Sequence, residues 1–224
     1  MSQVTSGLRK PLAIPGVYDF FLNLVGVPAA RIRWIQDFLK PFAGARILDI
    51  GCGTAELLRY LPESVDYTGF DMSEAYIDSA RKRYGHRGHF TCAAVEQFAA
   101  AHPAVPDSGA APGTASPGTA EPGFDIAVAF GVLHHLGDAD GRQVFRSARK
   151  LLKPGGRLVT IDPAFLPDQS YLSRYVAAHD RGQDVRFPEA YAGLGRDCFS
   201  RIEVTVLHKA LRIPTDHAVL VCHA

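Results

Sequence analysis

Cysteine is scarce in this chain and never paired in sequence. Cys52, Cys92, Cys198 and Cys222 are the only four among 224 residues. They lie far apart with no C-x-x-C pair, which argues against a structural zinc site and a disulfide framework, so no metal is expected. An excess of one charge is also lacking. The formal net charge is +1, too small for a basic face that binds nucleic acid through bulk electrostatics. The small cluster Arg81, Lys82 and Arg83 reads as the solvated end of a helix. No apolar run approaches the ~20 residues of a membrane span, and the opening "MSQVTSGLRKPLAIPG" has no apolar leader core. The expectation is a cytoplasmic chain with no membrane and no nucleic-acid partner, its oligomeric state open. The composition that remains, 47% hydrophobic and 21% charged, suits a single domain with a sizeable core.

Strand and helix signals alternate through the chain. Apolar residues at helical spacing predict a helical segment over 18–39, interrupted near Gly26 and Pro28. "ARILDI" reads as a buried strand, "TAELLRYL" as a helix capped by Thr54, and "VDYTGF" as a second strand ending at Asp71. Ser73 is placed to cap "EAYIDSARKRY" and Gly85 to stop it, and "HFTCAA" is a weaker third strand. "FDIAVAFGVLHHL" is a strong buried strand running into a loop. It is followed by an amphipathic helix, a "KPGG" turn and the strand "RLVTIDP". A helix around "SYLSRYVAAHD" precedes two final strands, "RIEVTVLHK" and "HAVLVC", with no helix between them, which suits an antiparallel edge hairpin. This alternation predicts an α/β fold with a parallel sheet covered on both faces. Residues 102–123 break the pattern. "HPAVPDSGAAPGTASPGTAEPG" repeats "PGTA" and buries too little apolar surface to offset ordering, so a mobile surface insertion is expected.

Ligands of open α/β sheets sit beyond the carboxyl ends of the strands. There the first strand meets Gly51-Cys52-Gly53, and Asp71 follows 20 residues after Gly51 at the end of the second strand. Bare backbone plus a carboxylate able to accept both hydroxyls of a ribose points to a nucleoside-containing ligand. A dinucleotide fingerprint would carry a third glycine at position 56. Glu56 stands there instead, and a carboxylate near that end disfavours a diphosphate.

The stretches "ILDIGCGTAELLRYL", "YTGFDMSEAYIDSARKRY", "FDIAVAFGVLHHL" and "ARKLLKPGGRLVTIDP", in this order and spacing, resemble the successive motifs of the class I S-adenosylmethionine-dependent methyltransferases. The flanks are similar to small bacterial members. The resemblance implies a Rossmann-like seven-stranded sheet in the order 3-2-1-4-5-7-6, with strand 7 antiparallel and helices on both faces. It implies a helical cap over 1–45, a cofactor core over 46–163, and a substrate-side lid with C-terminal strands over 164–224. It places the methionine part of the cofactor along Asp49, Gly51, Cys52 and Gly53, the ribose on Asp71, the adenine on Met72, and Phe130 beside the reactive methyl. An arginine before the first strand often pairs with the methionine carboxylate in that family, and Arg31 is favoured over Arg33. Many relatives carry an acidic residue after the third strand where this chain has Ala93, so the adenine is expected to be read by backbone at Ala94 and Val95.

The product would be S-adenosylhomocysteine and the acceptor a small molecule, a metabolite or natural-product intermediate, since no RNA- or protein-binding module is evident. The alternatives are a non-catalytic cofactor-binding regulator and an RNA or protein methyltransferase. No Asn/Asp-Pro-Pro-aromatic motif of the DNA-adenine enzymes follows the fourth strand. His134 and His135 lie just beyond that strand, and either is a candidate base, His135 slightly ahead, though both have a packing role as the plainer explanation. On the substrate side the candidates are Tyr18, Asp162, Arg181, Arg186 and Tyr191. "HDRGQDVRFPEAY" reads either as a lid whose arginines recognise an anion or as a loop tied by local ion pairs.

Overall fold

The computed structural model describes residues 24–105, 123–180 and 182–224. Tyr18, Arg181 and most of the expected insertion at 102–123 therefore lie outside the described residues. Seven strands form one sheet: β1 (Arg46–Ile50), β2 (Asp66–Asp71), β3 (Gly88–Cys92), β4 (Phe124–Phe130), β5 (Leu152–Pro163), β6 (Arg201–Leu207) and β7 (His217–His223). Their order is β3-β2-β1-β4-β5-β7-β6. The first five are parallel. β7 runs antiparallel between β5 and β6, as the hairpin pattern predicts.

The central strands read as continuous apolar runs because both faces are covered. Adjacent residues on one strand serve opposite cores. Leu48 and Ile50 join Phe145 and Leu151 of α4 (Asp138–Leu151) on one side, with Phe98 of α3 (Val95–Ala101) and Tyr191 of α6 (Pro188–Gly193). Ile47, Ile126 and Val159 join Trp34 of α1 (Val27–Trp34) and Ile77 of α2 (Glu74–Tyr84) on the other. Gly26, at φ 87°, interrupts the chain before α1, and Pro28 sits in its first turn, where a missing amide is harmless. Ser73 caps α2 as expected, its hydroxyl accepting from the Tyr76 amide.

Two local expectations change. Thr54 does not cap a helix. The chain turns through Ala55 in the left-handed region, at φ 57°, into a single 3-10 stretch over Glu56–Tyr60 with no side-chain cap. "KPGG" is not a stop between elements either. It lies within β5 as an irregularity, so that Leu152 pairs with Phe124 and Arg157 with Ile126.

The fold generates a contrast in substitution costs. Leu158 is fully buried in the sheet, and Leu158→Ala should lower unfolding free energy by roughly 2–5 kcal/mol in a denaturant titration. Glu203→Ala on the exposed edge strand β6 should leave the unfolding midpoint close to that of wild type.

Candidate functional site

The carboxyl ends of β1, β2, β4 and β5 open onto a cleft of about 450 Å³. Its floor is the turn after β1. Gly51 (φ 70°) and Gly53 (φ 55°) both occupy the left-handed region, for different reasons. A Cβ on Gly51 would come within 2.8 Å of Val132 Cγ2, so that glycine admits the neighbouring loop. One on Gly53 would meet nothing within 4 Å and would project into the open cleft that Gly53 lines.

The amides of this turn are already engaged. Gly51 and Cys52 both donate to the Phe70 carbonyl, at 2.9 and 3.0 Å, and Gly53 donates to Asp71 Oδ2 at 3.1 Å. A phosphate site needs free amides converging on an anion, usually at a helix N-terminus. Here those three amides are taken, and the 3-10 stretch that follows has no long helical dipole behind it. Glu56 contributes less than its charge suggests, because the Arg83 guanidinium pairs with it. A diphosphate is excluded more by backbone bonding than by that side chain.

What the floor offers is negative. Asp49, buried at the end of β1, accepts a 2.5 Å bond from the Tyr67 hydroxyl. Burial pushes its carboxyl up to about 7, against the lowering effects of Tyr67 and of the Arg31 charge. Asp71 accepts from the amides of Gly53 and Ser73, and burial raises it too. Asp49, Gly51, Cys52, Gly53, Asp71, Phe130 and Arg31 all line the cleft. Arg33 instead donates to the Ala210 carbonyl. Met72 is half exposed beyond Asp71. Ala94 lies at the start of α3, its amide donating to Gln97 Oε1, followed by Val95; neither is among the cleft-lining residues.

The opposite wall changes the reading of the histidines. His134 is buried, with Nδ1 2.8 Å from Asp162 Oδ1 and Nε2 3.1 Å from Asp180 Oδ1. Burial opposes its charge, but the two carboxylates outweigh that and raise it to about 9, while Asp180 is held down near 2. His134 is thus an imidazolium donating from both nitrogens, with no lone pair to receive a proton, which removes it as a base. Asp162 is buried and spends Oδ1 on the backbone amide and ring of His134, so it faces its neighbour rather than a substrate. His135 remains on the cleft wall, its ring packed on His134 at 4.0 Å.

Arg186 and Tyr191 also have structural partners. Arg186 donates to the carbonyls of Leu133, Leu136 and Asp184 and pairs with Asp138. The Tyr191 hydroxyl donates to the Pro163 carbonyl at 2.9 Å. Neither lines the cleft. The lid-like stretch is stitched to the turn after β4. Gly182 passes so close to His134 that a Cβ would fall 2.2 Å from its carbonyl oxygen, and the Asp184 amide donates to that oxygen at 3.0 Å.

A residue not singled out from the sequence also faces the cleft. His217 opens β7, which runs antiparallel and so begins at the ligand edge of the sheet. The signal available was a histidine immediately before an apolar strand in a hairpin, a pattern that says nothing until strand direction is known. Among the described residues no group of three or more His, Cys, Asp or Glu is arranged to hold a metal, and no helix is long and apolar enough to cross a membrane.

Comparison with known proteins agrees with this geometry. A family model described as a methyltransferase domain matches residues 48–158. The chain is 30% identical over 142 residues to the ubiquinone biosynthesis O-methyltransferase of Thiobacillus denitrificans, covering 61% of this chain and 51% of that protein. It is 31% identical over 133 residues to the 27-O-demethylrifamycin SV methyltransferase of Amycolatopsis mediterranei, covering 58% and 43%. The chain spans about half the length of the curated relatives it matches. A solved S-adenosylmethionine-dependent methyltransferase from Archaeoglobus fulgidus shares the fold with TM-score 0.68 at 15% identity, covering 92% of this chain and 99% of that one.

The His134 pair carries a pH signature. Its folded value lies above the ordinary 6.5, so its stabilisation is complete below about 6.5 and disappears as pH rises through about 9. His134→Gln should therefore lower stability by roughly 3 kcal/mol near pH 6, with the gap to wild type closing by about pH 10 in thermal melts.

Proposed function

The chain belongs to the class I S-adenosylmethionine-dependent methyltransferases, and from that premise we propose that it methylates a hydroxyl group of a small, largely apolar molecule. The observation that carries the cofactor half is the polarity of the glycine turn. Its amides are engaged and its neighbours are two raised carboxyls, which suits a ligand bearing an ammonium and a ribose and disfavours a dinucleotide.

S-adenosylmethionine supplies a methyl carbon bonded to a positively charged sulfur, open to in-line attack. The chain's contribution is placement and exclusion of water. Asp49, held by Tyr67, meets the ammonium at the closed end of β1, and Arg31 lies on the same cleft for the carboxylate. Asp71 keeps two backbone amides on its carboxylate and turns its remaining acceptor capacity to the sugar hydroxyls. Phe130, T-shaped against Trp34 at 6.0 Å, forms the aromatic corner beside the reacting centre. The acceptor wall of Val25, Val27, Trp34, Leu211 and Ile213 is apolar and lies in the same cleft. It supports a small-molecule substrate, as do the O-methylating relatives.

Calorimetry with S-adenosylhomocysteine tests the reading. Wild type should bind, NAD should not, and Asp71→Ala should weaken binding by roughly 1–3 kcal/mol, about 5- to 150-fold. Equal affinity in the variant would remove Asp71 from its role. Cofactor binding without S-adenosylhomocysteine release across hydroxyl acceptors would favour a non-catalytic binder.

A further inference from the structure

The apolar half of the cleft is assembled from three separate stretches of chain. Val25 and Val27 come from the entry to α1, and Val176 from α5 (Tyr171–Ala178). Leu211, Ile213 and Thr215 come from the loop over 208–216 that joins β6 to β7. That loop is bonded to both of the others. Its Arg212 amide donates to the Val25 carbonyl at 2.9 Å, and Arg33 of α1 donates to the Ala210 carbonyl at 3.3 Å. Gly26 makes the first joint possible. It turns the chain at φ 87°, and a Cβ there would fall 2.9 Å from Arg212 Cγ.

The tie to α5 runs through one side chain. Asp216 is only 7% exposed. Its Oδ2 accepts from the Ser173 hydroxyl at 2.7 Å and the Gln169 amide at 2.9 Å, and its Oδ1 faces His208 Nδ1 at 3.1 Å. Its backbone carbonyl accepts from the Ala164 amide at 2.9 Å. Ser173 lies in the first turn of α5, while His208 and Asp216 are the two ends of the loop. A single carboxylate therefore closes the neck of the loop and seats the loop on α5. Burial pushes this carboxyl up, but the bonds from Ser173, Gln169 and His208 outweigh that and hold it below the usual range. Asp216 is an anion whose acceptor sites are filled, and it does not itself line the cleft.

We propose that Asp216 is a positioning residue for the acceptor: by joining the 208–216 loop to α5 it sets the width of the apolar pocket that receives the molecule to be methylated. This rests on the methyltransfer reading above and deepens it. The cofactor floor has its own supports, Tyr67 on Asp49 and Asp71 on the Gly53 amide. The two halves of the cleft are braced by different bonds, so acceptor affinity is separable from cofactor affinity. The pocket that Asp216 holds presents aliphatic carbon from all three stretches, and it selects uncharged apolar acceptors by their fit between the loop and α5.

The test uses the full chain with S-adenosylhomocysteine bound and the neutral fluorophore N-phenyl-1-naphthylamine as probe. Trp34 is the one tryptophan of the chain and borders the cleft, so energy transfer from it reports occupancy. Asp216→Ala should weaken the probe about tenfold while calorimetric affinity for S-adenosylhomocysteine stays within about twofold. Asp216→Asn keeps the shape and one acceptor oxygen and should recover part of that loss. Ser173→Ala should weaken the probe in the wild-type background and add nothing to Asp216→Ala, because its effect passes through that carboxylate. A folded Asp216→Ala with unchanged probe affinity overturns the proposal, as does a parallel loss of both ligands in Asp216→Ala and Asp216→Asn. Should Asp216→Ala fail to fold, unchanged probe affinity in Asp216→Asn and Ser173→Ala overturns it instead. Wild type that binds S-adenosylhomocysteine and ignores the probe removes the apolar pocket and the role of Asp216, leaving the cofactor reading intact. Wild type that does not bind S-adenosylhomocysteine removes the cofactor reading and this proposal together.

Discussion

The hydrogen bond from Tyr67 to Asp49 is the interaction on which the site depends. It runs from Tyr67, near the start of β2, to Asp49 toward the carboxyl end of β1, and it holds a largely buried carboxyl group at the wall of the cleft. An isolated buried carboxylate is expensive and answers by raising its pKa. Asp49 does so, which makes it a partner in waiting for a cation. The end of β2 also engages the amides of the glycine turn, through the Phe70 carbonyl and Asp71. In the proposed reading these bonds give a glycine-rich loop, a motif shared by many nucleotide sites, a polarity that suits an ammonium better than a phosphate. The chemistry is decided by which backbone groups are left over.

The opposite wall is organised around a second buried charge. The His134 imidazolium joins the turn after β4 to β5 through Asp162 and to the segment after α5 (Tyr171–Ala178) through Asp180. Gly182 and Arg186 reinforce the same seam through close approach and carbonyl bonds. A buried pair of this kind contributes less to net stability than to holding one arrangement of a loop. Its consequence is a cleft whose far side is pinned at neutral pH. The apolar wall around Trp34 then faces a fixed floor.

Much of this was legible in the sequence because it is local. The strand runs, the Ser73 cap, the antiparallel edge hairpin and the pairing of Gly51 and Gly53 with Asp71 each rest on residues within a few positions of one another, or on a strand-to-strand spacing set by one βαβ unit. The misreadings have a common physical cause, which is that the deciding partner is remote. Thr54 looked like a cap until the chain proved to turn through Ala55 in the left-handed region. His134 could be listed beside His135 as a candidate base, with packing the plainer role, because its two carboxylates come from elsewhere in the chain, Asp162 lying 28 residues away. The sequence leaves Arg186 open between anion recognition and local ties, and only remote partners, Asp138 and the carbonyls of the turn after β4, decide for the second. His217 passed unnoticed because a strand's direction, not its composition, puts its first residue at the ligand edge.

The central claim is that a carboxyl group kept partly protonated by burial gives up its proton to receive the ligand's ammonium. Titrating S-adenosylhomocysteine calorimetrically at pH 7 in buffers of different ionisation enthalpy measures that proton directly. With Asp49 near 7, on the order of half a proton should be released per ligand bound, and Asp49→Asn should bind more weakly with that release abolished. Binding whose heat is independent of buffer, or a release that survives in Asp49→Asn, would contradict the account.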